Sequence, residues 1–153
     1  MFKNYLYYNY NMNNLGIFFE ISKYIGMGHF QRCLNFSNLL NFQKTYFFYV
    51  DNNDILINNK IEKVTNENNI FLNKIDNKNK LKQLTTNIKF DLFIIDSFLE
   101  NYQLETQLKK NVNKLLIWDH YSFKKHNCHY ILDHTINFLE DYHYENLNKD
   151  CKI

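Results

Sequence analysis

Leu15–Phe42 reads LGIFFEISKYIGMGHFQRCLNFSNLLNF, and this stretch decides the fold class. Leu15–Ile21 is a short apolar run of strand length, and Gly26 and Gly28 follow it as a turn. From His29 onwards Phe30, Cys33, Leu34, Phe36, Leu39 and Leu40 recur at broadly helical spacing. A buried strand, a glycine turn and an amphipathic helix open a β–α–β unit, and the pattern repeats downstream. Thr45–Val50 (TYFFYV) predicts a second strand, ended by Asp51-Asn52-Asn53. Helix is expected over about 54–64, a short strand over Ile70–Leu72 and another helix over about 76–87. Phe90–Asp96 (FDLFIID) and Lys114–Asp119 (KLLIWD) read as buried strands, each closed by a carboxylate. Tyr102–Val112 between them reads as helix, and Tyr130–Leu132 as a last strand.

This alternation predicts an α/β domain with a Rossmann-like, mostly parallel sheet flanked by helices. Ligands of such sheets bind beyond the carboxyl ends of the strands, near the point where the strand order reverses. The groups expected there are Glu20, Ser22, Gly26–His29, Asp96, Ser97 and Asp119.

A chain of 153 residues buries roughly 68–70% of its unfolded surface, enough for one domain with a real core. Its composition is lopsided, with 26 Asn, 17 Lys, no Ala, no Pro, three Gly and one Arg. Residues with GC-rich codons have nearly vanished, the mark of a very AT-rich genome, so most of the Asn content carries no functional message. The 45% hydrophobic and 18% aromatic residues argue for a packed core despite the Asn-rich tracts. A net charge of +2 is too small to indicate a nucleic-acid binder, so no nucleic-acid partner is expected, and the lysines between Lys60 and Lys89 read as a solvated face. No apolar run reaches the length of a membrane span, so no membrane insertion is expected. The first residues, MFKNYLYYNYNMNN, lack the apolar core and cleavage site of a secretory signal. Cys33, Cys128 and Cys151 are odd in number and irregularly spaced, which fits free thiols in a reducing cytoplasm.

Two of the three glycines and the sole arginine fall in Ile25–Arg32, IGMGHFQR. Gly26 and Gly28 permit a tight turn and close approach of the backbone. His29 then lies near a helix N-terminus, whose partial positive charge is expected to lower its pKa and keep the imidazole neutral. A neutral imidazole is what a general base requires. Arg32, about one helical turn on, suits a carboxylate or a phosphate. The dinucleotide fingerprint is excluded because Gln31 occupies its third glycine position, and no Gly-Lys-Ser/Thr of a phosphate loop follows.

IGMGHFQRCLNFSNLL resembles the I-G-x-G-H-x-x-R-C-L-x-L-A segment of the UDP-sugar hydrolases of pseudaminic acid synthesis. Those enzymes hydrolyse UDP-2,4-diacetamido-2,4,6-trideoxy-β-L-altropyranose, and they share the segment with GT-B-type spore-coat polysaccharide proteins. FDLFIIDSF is similar to the family's D-x-x-V-I-D-x-Y strand end. WDHYSFKKHNCHYILDHT is similar, without gaps, to D-D-x-x-x-R-x-H-x-C-D-x-x-L-D-Q-N, and the resemblance runs from about Leu15 to Thr135. It implies the N-terminal half of a GT-B fold over 14–138, after a loose extension over 1–13. Residues 139–153 would be a linker or terminal helix leading to a separate C-terminal nucleotide-binding half, without which the UDP site would be incomplete.

By the same resemblance His29 is the base that activates water, and Ser22, Gly26, Gly28, Asp96 and Asp119 shape the substrate pocket. Glu20, Arg32, Phe98 and His126 support it. No cofactor and no metal are implied, and the substrate is a UDP-linked amino sugar. The chain departs from the pattern at Phe18 (Arg in the family), Glu20 (Asp), Phe98 (Tyr) and His120 (Asp). Two alternatives stand beside this reading: a glycosyltransferase half of the same fold, and a non-catalytic sugar- or partner-binding remnant of a split gene. The His and Cys residues at 120, 126, 128, 129 and 134 match no zinc spacing, and Cys33 reads as a buried helix-face thiol.

Overall fold

A computed structural model describes residues 12–22, 24–50, 54–75, 78–98, 102–119, 125–133 and 151–152. Six strands form one sheet: β1 (Asn14–Phe19), β2 (Lys44–Val50), β3 (Phe71–Ile75), β4 (Leu92–Asp96), β5 (Leu115–Asp119) and β6 (Tyr130–Asp133). Between successive strands up to β5 lie α1 (Gly28–Leu39), α2 (Ile55–Glu67), α3 (Lys78–Asn87) and α4 (Tyr102–Lys109). The strand order is β3-β2-β1-β4-β5-β6, and every neighbouring pair is parallel. The chain is therefore a Rossmann-like α/β domain. It builds outwards from β1 to β3, then crosses back to β4 and builds the other way, so the order reverses between β1 and β4. There Phe19 pairs with Asp96, which sets the carboxyl ends of both strands side by side.

The strands are near-continuous apolar runs because both faces of the sheet are covered. On one face Ile17, Phe19, Phe47, Tyr49, Ile94 and Leu116 pack with Phe30, Cys33 and Leu34 of α1 and Ile61 of α2. On the other, Phe18, Phe48, Phe93, Ile95 and Ile117 pack with Leu81 of α3 and Leu104 and Leu108 of α4. Each buried ring contributes roughly 1.5–3 kcal/mol relative to leaving it in water. The rings interlock, with Phe19 edge-on to Phe47 at 5.4 Å and Phe90 edge-on to Phe93 at 5.2 Å between centroids. Aromatic bulk thus fills the volume that a chain without alanine cannot divide among small side chains.

The helices start differently. Asp54 caps α2, its Oδ1 accepting from the N–H groups of Leu56 (3.0 Å) and Ile57 (3.1 Å). No side chain caps α1, whose N-cap is Met27. Element ends differ modestly from expectation. β3 runs on through Asn73 and Lys74 because an edge strand tolerates polar residues. α4 stops at Lys109, and Val112 instead bridges to Phe90.

Residues 1–11 and 134–150 lie outside the described residues, and with them most of the expected N-terminal extension and C-terminal segment. The carbonyls of Met12 and Asn13 accept from the N–H groups of Gln43 and Lys44, at 3.3 and 2.8 Å. Cys151 and Lys152 lie along β6. The Ile131 N–H donates to the Lys152 carbonyl (2.8 Å), and the Lys152 N–H to the His129 carbonyl (3.0 Å).

Gly16 of β1 lies under the Phe93 ring, and a Cβ there would stand 2.4 Å from Phe93 Cδ2. Gly28 has no atom within 4 Å of such a position. Gly16→Ala is expected to cost about 1–3 kcal/mol by overpacking, whereas Gly28→Ala should change stability by no more than about 0.5 kcal/mol. Thermal or urea unfolding of the two variants checks this, and equal midpoints would contradict the packing account.

Candidate active site

Four segments converge where the strand order reverses. β1 delivers Glu20 one residue past its end, β4 ends on Asp96, the turn 22–27 follows β1, and α1 begins immediately after it. Within the turn Ser22 Oγ accepts from the N–H groups of Tyr24 (3.2 Å) and Ile25 (3.1 Å), and the Gly26 N–H donates to the Ser22 carbonyl. Gly26 has φ +74°, a left-handed conformation that a Cβ would penalise. The turn therefore needs glycine at 26 and sets where α1 starts, so that His29 falls in its first turn.

His29 is buried, and its Nδ1 lies 2.9 Å from the Asp96 carbonyl oxygen and 3.0 Å from Asp96 Oδ1. Both neighbours are acceptors, so Nδ1 carries the hydrogen and the lone pair of the neutral ring sits on Nε2. One turn later Arg32 Nε donates to Asp96 Oδ2 at 2.8 Å while Nη2 donates to Oδ1, a two-pronged pair. The guanidinium also lies 4.8 Å from the centre of the Trp118 ring, which forms a T-shaped pair with Phe36. Cys33 Sγ approaches the same carboxylate at 3.5 Å. Asp96 itself is wholly buried.

Charge follows from these contacts. Burial alone would push the Asp96 carboxyl up, but hydrogen bonds from His29 and Arg32 hold its pKa down at about 2. Burial alone would push His29 down, but the Asp96 side chain and carbonyl outweigh it, and the pKa is raised. The helix N-terminus led to the opposite expectation. A full carboxylate in direct contact overrides the half-charge of a helix end. The Cys33 thiol is pushed up by burial, and the Asp96 charge beside it adds to the shift.

Phe98 stacks obliquely on His29, ring centres 5.1 Å apart, and its N–H donates to Glu20 Oε2 at 2.8 Å. Glu20 is buried, and its Oε1 has no hydrogen-bond partner among the described residues. The structure thus brings together Glu20, His29, Arg32, Asp96 and Phe98, with Ser22 and Gly26 in the adjoining turn and Gly28 exposed at the start of α1.

Asp119 and His126 belong to a second cluster. His126 Nδ1 hydrogen-bonds Glu105 Oε1 at 2.9 Å, and its Nε2 makes an ionic contact of 3.5 Å with Asp119 Oδ2. The Asn127 N–H donates to Glu105 Oε2 at 2.6 Å. All three charged side chains are buried. Burial would lower the His126 pKa, but the carboxylates of Asp119 and Glu105 raise it to about 9. An imidazolium between two carboxylates ties α4, β5 and the loop before β6. Glu105 was missed in the sequence; its signal is a carboxylate interrupting the apolar stripe of Leu104 and Leu108. Trp118 was missed too, since a lone Trp inside an apolar strand reads as core.

His129 Nδ1 accepts from the Leu115 N–H at 2.9 Å, while His120 and His134 lie outside the described residues. Among the described residues no group of three His, Cys, Asp or Glu side chains is arranged to hold a metal ion. Among them, too, no helix is long and apolar enough to cross a membrane. No protein-family model matches the chain, and no curated protein matches it significantly.

The two clusters set opposite limits on stability. The folded His126 pKa of about 9 exceeds its unfolded 6.5, so its contribution is complete below about pH 6.5 and disappears as pH rises through 9. A separation of this size is worth on the order of 3 kcal/mol. Asp96 is the reverse case: its contribution is present above about pH 3.8 and lost as pH falls through 2. Urea unfolding across pH is expected to give greatest stability between about pH 4 and 6.5. His126→Gln should make the alkaline limb shallower, leaving the part that the raised His29 contributes, and an unchanged limb would contradict the assignment of that proton.

Proposed function

We propose that the chain is the N-terminal, sugar-facing domain of a GT-B-type nucleotide-sugar hydrolase, similar to the UDP-sugar hydrolases of pseudaminic acid synthesis. The observation that carries this reading is the His29–Asp96 pair at the carboxyl ends of β1 and β4. A carboxylate that fixes Nδ1–H and steadies the imidazolium leaves Nε2 as the proton acceptor, the division of labour a water-activating base requires. In the proposed step water attacks the anomeric carbon, its proton passes to His29 Nε2, and the bond to UDP breaks with the electron pair leaving on the diphosphate. Arg32, held on Asp96, keeps that carboxylate ionised and so acts through His29. Glu20 Oε1, without a hydrogen-bond partner among the described residues, suits a hydroxyl or amide N–H of a diacetamido sugar. Asp119, engaged with His126, supports the neighbouring loop.

Phe98 gives the transferase and non-catalytic readings their footing. It stands against His29 where the resembling family carries Tyr, so a phenol is missing from the polar site. A transferase would pass the sugar to an acceptor hydroxyl in place of water, and a binding remnant would do neither.

UDP release from the nucleotide sugar, measured with this chain alone and with a separately produced nucleotide-binding half, tests the proposal. Free sugar and UDP are expected as products, with a rate that rises with pH as His29 loses its proton, at an apparent pKa above 6.5. His29→Ala should slow the reaction about 10²–10⁴-fold, and Phe98→Tyr should accelerate it by roughly fivefold through one added hydrogen bond. Full activity in His29→Ala removes His29 as the base. A glycoside product favours the transferase, and no UDP release from either preparation favours the non-catalytic reading.

A further inference from the structure

The C-terminal end of the chain meets the loop before β6 through sulfur. Cys128 Sγ and Cys151 Sγ are 3.2 Å apart, across 23 positions of sequence, and both are thiols. The approach is held by backbone on both sides. Cys151 precedes Lys152, whose N–H and carbonyl pair with His129 and Ile131, and Cys128 precedes His129. The loop around Cys128 is anchored in turn. Lys109 Nζ donates to the Cys128 carbonyl (3.0 Å) and to Asn127 Oδ1 (3.3 Å), and Glu105 holds the Asn127 N–H. Two sulfur atoms held by separate backbone segments at this separation need only a small closing movement to bond.

We propose that Cys128 and Cys151 are a reversible dithiol–disulfide site, oxidised by a small-molecule disulfide, that fastens the C-terminal segment to the edge of β6. The two thiols are unequal. Cys128 is fully buried, whereas Cys151 is partly exposed. The hydrogen bond between the two sulfurs and the ammonium of Lys109 favour the Cys151 thiolate, while the same contact and burial push the Cys128 thiol up. Cys151 is therefore the attacking sulfur and Cys128 the resolving one. The Cys151 thiolate attacks the small disulfide, its S–S bond breaks, and one thiolate leaves. Cys128 Sγ then gives its proton to that thiolate and attacks Cys151 Sγ, releasing the second small thiolate. Two protein thiols are oxidised to one disulfide, and one small disulfide is reduced to two thiols. Cys33 stays outside the exchange, buried on α1 against Asp96.

The test equilibrates the full chain in buffers of graded oxidised-to-reduced glutathione ratio, quenches with acid, alkylates after unfolding and reads intact mass. At the oxidised end the protein is expected to lose two hydrogens and two of its three alkylatable thiols. Proteolysis should join the peptide of Cys128 to that of Cys151. Cys33→Ser should form the same bond, and Cys151→Ser should never lose the two hydrogens. The oxidised form should melt several degrees above the reduced one, because the bond closes a loop in the unfolded chain. A stable glutathione adduct on Cys151, three alkylatable thiols throughout the series, or a bond that disappears in Cys33→Ser would each overturn the proposal.

Discussion

The Arg32–Asp96 ion pair is the contact on which the rest of the molecule turns. Asp96 ends the central strand β4 with no access to water, and a carboxylate so placed is tolerable only with a charge beside it. Arg32 supplies that charge from the second turn of α1, which locks the helix to β4 across the point where the strand order reverses. The lock fixes more than packing. It keeps Asp96 ionised, and the ionised carboxylate fixes the His29 tautomer. It also draws the guanidinium over Trp118, so β5 joins the same arrangement. Removing one partner of such a buried pair typically costs about 3–5 kcal/mol, because the remaining charge is stranded.

In a chain with one arginine, the use of that arginine is informative. Arg32 first suggested a grip on an external carboxylate or phosphate. The carboxylate it grips is the protein's own, 64 positions away. The residue still belongs to the cluster where the strand order reverses, through its hold on Asp96. The glycines divide similarly. Gly26 meets a backbone demand in the turn, whereas Gly16 is small because Phe93 passes over it.

Most of the architecture was legible because it is local. Apolar runs closed by Asp96 and Asp119, the glycine turn and the helical spacing of Phe30, Cys33 and Leu34 need only neighbouring residues. They placed the described strands and helices to within a few positions and identified the sheet as parallel. What escaped is long-range. The rise in the His29 pKa depends on a carboxylate 67 positions away, invisible to a reading that sees only the helix end. Glu105 drew no notice because the partners that bury it, Asn127 and His126, lie more than 20 positions further along the chain. The strand order, too, follows from how the helices share the two faces, which apolar pattern alone does not specify.

The residues at 151–152 also bear on how the protein behaves among copies of itself. A sheet edge offers unpaired N–H and C=O groups to any strand that drifts against it, and a flat parallel sheet is an inviting template for stacking. At β3 the hazard is blunted by side chains: Lys74 pairs with Glu62, and Phe71 folds onto Tyr46. At β6 the backbone itself is met by Lys152, which takes up the Ile131 N–H and the His129 carbonyl. Lys152 therefore closes part of the β6 edge with the chain's own backbone, and takes up groups that would otherwise be offered to another strand.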